Sequence, residues 1–133
     1  WRIVMIFFPV AAMNAATTLV FVYGTLKRAR SNHGWMSGQK FISQAMTQPR
    51  FRLHDLGGYP GMVLDEARGV SIHGEVWEVD ADCLLRLDDL EDIAGGEYAR
   101  ELIPLLPPFD HQPIQGYRYL RELTDEPDCG ACW

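Results

Sequence analysis

The chain of 133 residues is long enough for one domain with its own core, and 47% of its residues are apolar. Twelve basic and eighteen acidic residues give a net charge of −6, which argues against a general nucleic-acid surface. Three cysteines do not make a secreted disulfide scaffold, so we expect a cytoplasmic protein.

The first 18 residues are predicted to be an extension, either non-native or weakly ordered. Residues 3–13 are mostly apolar, but a run of about eleven residues is too short to span a bilayer. Because Arg2 precedes this run and small residues follow it, a clipped signal peptide is one interpretation. The interpretation that we favour is an extension ahead of a natural start at Met13, with no membrane association.

Six or seven short strands and one helix are predicted after this extension. Residues 19–23 are β-branched and aromatic, as in a buried strand. Asp80 can cap a helix over residues 81–92. Gly74 interrupts the alternating segment 69–80 and suggests a bulge or bend there. The other predicted strands are 40–46, 50–55, 61–64, a segment from Glu97 that ends at Pro104, and 115–123.

These elements predict an α+β domain over residues 19–123, built on a mainly antiparallel and strongly bent sheet. Spacing alone leaves closure into a barrel open. Residues 124–133, rich in Asp, Glu and Pro, are predicted to be a disordered tail. The tail carries Cys129 and Cys132 as a CxxC pair. Because a zinc site would need two more ligands and redox pairs usually open a helix, we predict no metal site.

One acidic residue of the helix points toward the core. At about 100° per residue, Glu91 falls within roughly 20–25° of the apolar direction of the helix. A buried carboxyl has a raised pKa, which suits a general base near neutral pH. Alternatively, Glu91 lies at a frayed helix end and reaches solvent, or Asp88 on the flank is the functional carboxylate. The apolar direction is defined by four leucines: Leu84, Leu85, Leu87 and Leu90.

The first strand ends in a turn with exposed main-chain donors. Gly24 lets a ligand approach the backbone closely, so the amides of Gly24, Thr25 and Leu26 can converge on an anion such as a carboxylate. A plain strand-to-loop turn is the alternative. With a buried base opposite, such a turn would suit a small zwitterionic or acidic substrate, which Lys27 and Arg28 can steer if they are more than a solvated pair.

Four stretches, taken in order, resemble the gamma-glutamylcyclotransferase-like superfamily, and most closely its gamma-glutamylamine cyclotransferase branch. The resemblance covers roughly residues 19–121, and the ordered set is more specific than any one stretch. The stretches are VFVYGTLKR (20–28) followed by Asn32-His33, GEVWEVD (74–80), LDDLE (87–91) and YAR (98–100).

This resemblance implies a small mixed β-barrel flanked by helices and a reaction without a cofactor. The α-amine of a γ-glutamyl substrate attacks its own γ-amide carbonyl, so that 5-oxoproline forms and an amine leaves. Glu91 matches the catalytic acid/base. Tyr23, Gly24, Thr25 and Leu26 match the loop that holds the α-carboxylate. Tyr98 matches a tyrosine near the pocket, and Arg100 is interpreted as structural.

Several alternatives stay open at this point. The enzyme can act on a γ-glutamyl amine, on γ-glutamyl peptides or on a biosynthetic γ-glutamyl protecting group, or the domain can be a non-catalytic module that binds a small ligand. Ala29 departs from the family, which commonly has Gly there. The expected partner is the small γ-glutamyl substrate, with no nucleic acid or membrane, and the expected state is a monomer or weak dimer.

Overall fold

The computed structural model describes residues 17–133, and the sixteen residues before them, which hold most of the predicted extension, lie outside this description. None of the helices in the described part is long and apolar enough to cross a membrane. The elements are β1 (Thr18–Val22), a 3₁₀ helix (His33–Met36), β2 (Lys40–Met46), β3 (Phe51–Asp55), β4 (Pro60–Leu64), β5 (His73–Val79), α1 (Ala81–Leu90), β6 (Tyr98–Leu102), β7 (Gln115–Tyr119) and β8 (Asp128–Gly130).

The strands form a five-stranded sheet in the order β2-β5-β1-β7-β6 and a three-stranded sheet in the order β4-β3-β8. Only the β1–β7 pair is parallel among these strands. Just beyond the two edge strands of the larger sheet, Thr47 bridges Leu105, and the Leu106 amide donates to the Met46 carbonyl at 2.9 Å. The larger sheet therefore closes on itself, and the predicted α+β fold with a small, mainly antiparallel barrel is confirmed.

Both faces of β1, the middle strand of the larger sheet, are buried from Val20 onward. This explains its continuous apolar run, since a strand covered on both sides has no solvent-facing positions. Phe21 and Tyr23 pack inward with residues of the smaller sheet, whereas Val20 and Val22 pack toward α1. The end of β1 is consequently fixed between two packed layers, and the turn that follows it begins from a rigid position.

Helix α1 begins as predicted, with the Asp80 carboxylate accepting a hydrogen bond from the Cys83 amide at 2.8 Å. It ends at Leu90, two residues earlier than predicted, and Glu91 is its C-cap residue. The assignment of Leu85 to the apolar face was wrong, because its side chain is 66% exposed. The buried positions are Cys83 and Leu87, so the apolar face is narrower than four leucines suggested.

The prediction of a bulge at Gly74 was also wrong in position. The register shift of this strand pair lies on β2, between Phe41 and Ser43. Gly74 is needed for a different reason, because a Cβ there would lie 2.5 Å from the Phe21 ring. The strand itself is shorter than segment 69–80, and of its early residues Val70 makes a single bridge to Phe51.

The prediction that the last ten residues are disordered was wrong for part of them. Residues 128–130 form β8, which pairs with β3. The Asp55 amide donates to the Pro127 carbonyl, and the His73 amide donates to the Ala131 carbonyl, both at 2.8 Å. Composition missed this segment because main-chain pairing at a sheet edge needs few apolar side chains. The division of the chain after residues 18 and 123 stays a prediction.

Candidate active site

A cavity of about 310 Å³ opens where β1, α1 and the strands β6 and β7 come together. All six residues that the resemblance assigned to catalysis or substrate binding line it, although they come from three separate segments of the chain. The lining residues are Phe21, Val22, Tyr23, Gly24, Thr25, Leu26, Ser31, Asn32, Gly58, Tyr59, Pro60, Leu90, Glu91, Glu97, Tyr98 and Tyr117.

The turn after β1 presents main-chain donors at this cavity. Within residues 17–133, no hydrogen bond uses the amides of Gly24, Thr25 or Leu26, which we call the amide cradle. Asn32 holds the turn through two hydrogen bonds. Its main-chain N–H donates to the Thr25 carbonyl at 2.8 Å, and its side-chain Nδ2 donates to Thr25 Oγ1 at 2.9 Å. The turn is therefore shaped by bonds that leave three neighbouring donors available for an anion.

Gly24 is required by a close approach. A Cβ at this position would lie 2.6 Å from the Pro60 ring, so any larger residue would push the turn away from the cavity wall. Ala29, the departure from the family pattern, has a φ of 65°. That left-handed conformation suits glycine better than alanine, which gives a physical reason for the glycine common in the family.

Tyr23 is held by two hydrogen bonds. Its hydroxyl donates to the Tyr117 carbonyl at 2.7 Å and accepts from the Met62 amide at 3.2 Å. Burial, followed by the charge of Glu91, raises the pKa of Tyr23 well above its ordinary value. Tyr23 thus stays a neutral phenol, and its ring forms a fixed wall of the cavity.

Tyr98 is fixed in a similar way. Its hydroxyl donates to the Pro60 carbonyl at 2.8 Å, and its ring packs edge-on against Tyr119 with centroids 5.4 Å apart. Burial, followed by the charges around the cavity, raises the pKa of Tyr98. Because its one proton is committed to Pro60, Tyr98 can offer a ligand only its acceptor lone pair in this arrangement.

Glu91 lines the cavity with a carboxyl group that has no hydrogen-bond partner among the described residues. Burial, followed by the charge of Glu97, raises the pKa of Glu91 to about 7. A carboxyl with such a pKa exchanges its proton readily near neutral pH, as a general acid/base requires.

Asp88, the alternative carboxylate, is hydrogen-bonded to side chains of β6 and β7 outside the cavity. Arg100 donates to it through Nε at 2.8 Å and Nη2 at 3.1 Å, and the Tyr117 hydroxyl donates at 2.8 Å. Arg100 also bonds Gln115 on the neighbouring strand. Since Asp88 does not line the cavity, these contacts speak for a structural pair of Asp88 and Arg100 and against Asp88 as the base.

Other cavity residues were not found from the sequence. Glu97 faces the cavity and accepts a hydrogen bond from the Tyr59 hydroxyl at 3.0 Å. Both residues lie in turns of the structure, although the predicted strand segment began at Glu97, and no periodicity marked either side chain as facing a cavity. Lys27 and Arg28, considered for steering, do not line the cavity: Lys27 Nζ donates to the Trp133 carbonyl at 3.1 Å, and Arg28 pairs with Glu75.

Comparison with known proteins gives consistent findings. The sequence model of the family described as gamma-glutamyl cyclotransferase, AIG2-like, matches residues 20–131. A Vibrio cholerae protein whose name refers to gamma-glutamylcyclotransferase is 41% identical over 112 residues, which cover 84% of this chain and 92% of that protein.

Solved structures show the same likeness. The solution structure of protein ytfP from Escherichia coli superimposes with a TM-score of 0.65 at 32% identity, covering 86% of this chain and 93% of that one. The crystal structure of an AIG2-like protein from Mus musculus gives a TM-score of 0.64 at 29% identity, covering 82% of this chain and 80% of the other.

Proposed function

The chain belongs to the AIG2-like gamma-glutamyl cyclotransferase family, and we propose that it converts a γ-glutamyl amine into 5-oxoproline and the free amine. The α-nitrogen of the substrate forms a bond to the γ-carbonyl carbon, and the bond between that carbon and the leaving nitrogen breaks. Because nucleophile and electrophile belong to one molecule, orientation supplies much of the rate enhancement.

The cavity offers a group for each part of this reaction. The amide cradle would bind the α-carboxylate of the substrate. Glu91, ionised, would accept a proton from the α-ammonium, and the neutral amine would then attack the γ-carbonyl. Protonated Glu91 would return that proton to the leaving nitrogen as the bond to carbon breaks. The new ring nitrogen then loses its second proton, which the more basic released amine takes up, so that the amine departs as an ammonium ion. The carboxyl thus ends the cycle in the state in which it began.

One observation carries the proposal: a carboxyl and three amides, all without hydrogen-bond partners in residues 17–133, line one cavity of about 310 Å³. A carboxyl held in that state raises the energy of the folded protein unless a ligand uses it. A module that only binds a small anion would need the cradle but would have no use for a proton acceptor whose pKa lies near 7.

The charges of the lining favour an amine as leaving group. Glu91 and Glu97 line the cavity, and no Lys, Arg or His belongs to its lining among the described residues. A leaving amino acid or peptide with a carboxylate close to the scissile nitrogen would be repelled by these groups. This supports γ-glutamyl amines over γ-glutamyl peptides. A cytoplasmic location and a monomer or weak dimer stay predictions.

A substrate panel tests the proposal. γ-Glutamyl-ε-lysine, a γ-glutamyl alkylamine and a γ-glutamyl amino acid are each incubated with the protein, and 5-oxoproline is measured. We expect release from the first two compounds and at least about tenfold lower kcat/KM with the third. Binding of all three compounds without any 5-oxoproline would instead identify a binding module. Preference for the amino acid would contradict the argument from charge.

A further inference from the structure

A buried glutamate outside the cavity, Glu75, is hydrogen-bonded to the loop that carries the amide cradle. Glu75 is on β5 and only 7% exposed. Alternation along the strand places it on the same face as Trp77 and Val79, which pack toward α1. Glu75 does not line the cavity, so the proposed chemistry makes no direct use of it.

Three donors converge on the Glu75 carboxylate. The Arg28 amide donates to Oε1 at 3.0 Å, Arg28 Nε donates to Oε2 at 3.2 Å, and Trp77 Nε1 donates to Oε1 at 3.1 Å. The bond from the Arg28 main chain is the informative one, because it connects strand β5 to the backbone of the turn itself.

Two routes lead from Glu75 to the cradle. Along the main chain, Arg28 adjoins Lys27, whose amide donates to the Gly24 carbonyl at 3.1 Å. Through side chains, the Trp77 ring packs on the His33 ring at 5.3 Å, and His33 Nδ1 lies 3.0 Å from the Leu26 carbonyl. Both ends of the cradle are therefore connected to one carboxylate.

The fold by itself does not require a carboxylate at this position. Burying an ionised group is unfavourable unless its partners compensate, and an apolar side chain of similar volume commonly stabilises a core as well or better. What an apolar side chain cannot do is accept the Arg28 amide and so fix the path of residues 24–33.

We propose that Glu75 is a positioning residue for the amide cradle: its carboxylate fixes the 24–33 loop so that the Gly24, Thr25 and Leu26 amides converge on the substrate's α-carboxylate. What the cradle binds rests on the proposed function, whereas the order of the loop does not. Because Glu75 would hold the cradle in the same position when the substrate binds and when it reacts, losing it should weaken substrate binding more than it slows the chemical step.

Kinetics of Glu75→Met test this role, with Glu78→Met as the matched control, because methionine has a similar size but cannot accept the Arg28 amide. Glu78 is on the same strand, and its carboxylate accepts from Thr17 rather than from the loop. We expect KM to rise about tenfold in Glu75→Met with kcat within about threefold, and both constants to stay unchanged in the control. An unchanged KM in a folded Glu75→Met protein would overturn the proposal.

Hydrogen exchange tests the loop independently of turnover. In Glu75→Met, the bonded amides of Lys27, Arg28 and Asn32 should exchange at least about tenfold faster than in Glu78→Met. If the wild type releases no 5-oxoproline, the proposed function fails, and this comparison still decides the role of Glu75. If Glu75→Met does not fold, the wild type decides: an Arg28 amide that exchanges as fast as the unbonded Leu26 amide would overturn the inference, and a slower one supports it.

Discussion

Asp88 and Glu91 are two carboxylates one helical turn apart at the end of α1, and their surroundings differ completely. Asp88 faces β6 and β7, where Arg100 and the Tyr117 hydroxyl supply three hydrogen bonds to it. Glu91 faces the cavity and receives none from the described residues. The same chemical group is therefore satisfied in one place and left available in the other.

This difference shows how one helix end can serve both folding and chemistry. The acceptor oxygens of a carboxylate that faces a bidentate arginine and a hydroxyl are occupied within the fold. A buried carboxyl without a donor of its own has a raised pKa, as Glu91 has, which is what proton transfer near neutral pH needs. The identity of the residue decides less than the donors that the neighbouring strands place beside it.

Glu91→Gln should produce the largest effect, because it removes the cavity carboxyl that we propose carries the proton between the two nitrogens. We expect kcat for 5-oxoproline release to fall by about 10²–10⁴-fold while the fold is kept. Steady-state kinetics with far-UV circular dichroism measure both. The control is Asp89→Asn, an exposed carboxylate beside it on α1. Near-normal turnover by Glu91→Gln would end the assignment.

Asp88→Asn should show the reverse pattern. The amide leaves Arg100 without its anionic partner in a partly buried site, so we expect unfolding to become easier by about 2–3 kcal/mol. The value of kcat should stay within about threefold. Urea denaturation beside the same kinetic assay checks this. Lost turnover with unchanged stability would move the catalytic role from Glu91 to Asp88.

Only one side of the contrast between these carboxylates, the position of Glu91, could be predicted from the sequence. Helical geometry placed Glu91 toward the apolar face, and the motif around residues 87–91 supported it. Nothing local indicated that Arg100 and Tyr117 would reach Asp88, because those contacts depend on how β6 and β7 pair. Glu97 and Tyr59 were missed for the related reason that turns carry no periodicity.

The predictions about the fold succeeded and failed for the same reason. The strands and the Asp80 cap follow from local pattern and local hydrogen bonding, which the sequence states directly. Leu85 and Gly74 were misread because their roles depend on what packs opposite them. None of residues 17–133 covers the Leu85 face of α1, and at Gly74 the Phe21 ring comes too close for a side chain. Strand β8 depends on pairing with β3, which composition does not encode.

The pH dependence of stability tests the environment of Glu91 directly. The pKa of Glu91 is raised from 4.5 to about 7 in the folded protein, so ionising it there opposes folding. That penalty is absent below about pH 4.5, grows as pH rises toward 7 and is complete above it. The full shift corresponds to about 3 kcal/mol, and water in the cavity reduces this, so we expect about 2 kcal/mol.

The stability of Glu91→Gln relative to the wild type should accordingly be about 2 kcal/mol higher at pH 8 than at pH 4.5. Urea unfolding of both proteins at the two pH values measures the difference, and Asp89→Asn is again the control. A constant difference between the proteins would mean that Glu91 titrates normally, and the cavity would then not be the environment described above.

Tyr117→Phe should have the smallest effect and tests how the Asp88 site is divided among its donors. Burial, followed by the hydrogen bond to Asp88, raises the pKa of Tyr117, so its hydroxyl stays a donor. Removing it leaves Arg100 in place, and we expect a loss of about 1 kcal/mol with unchanged kcat. In the double variant with Asp88→Asn, the total loss should be smaller than the sum of the two single losses, because both substitutions act on the same hydrogen bond: one removes it and the other weakens it. Strict additivity would show that the tyrosine stabilises the protein through its ring alone, and a lower kcat would place its hydroxyl in the chemistry of the cavity.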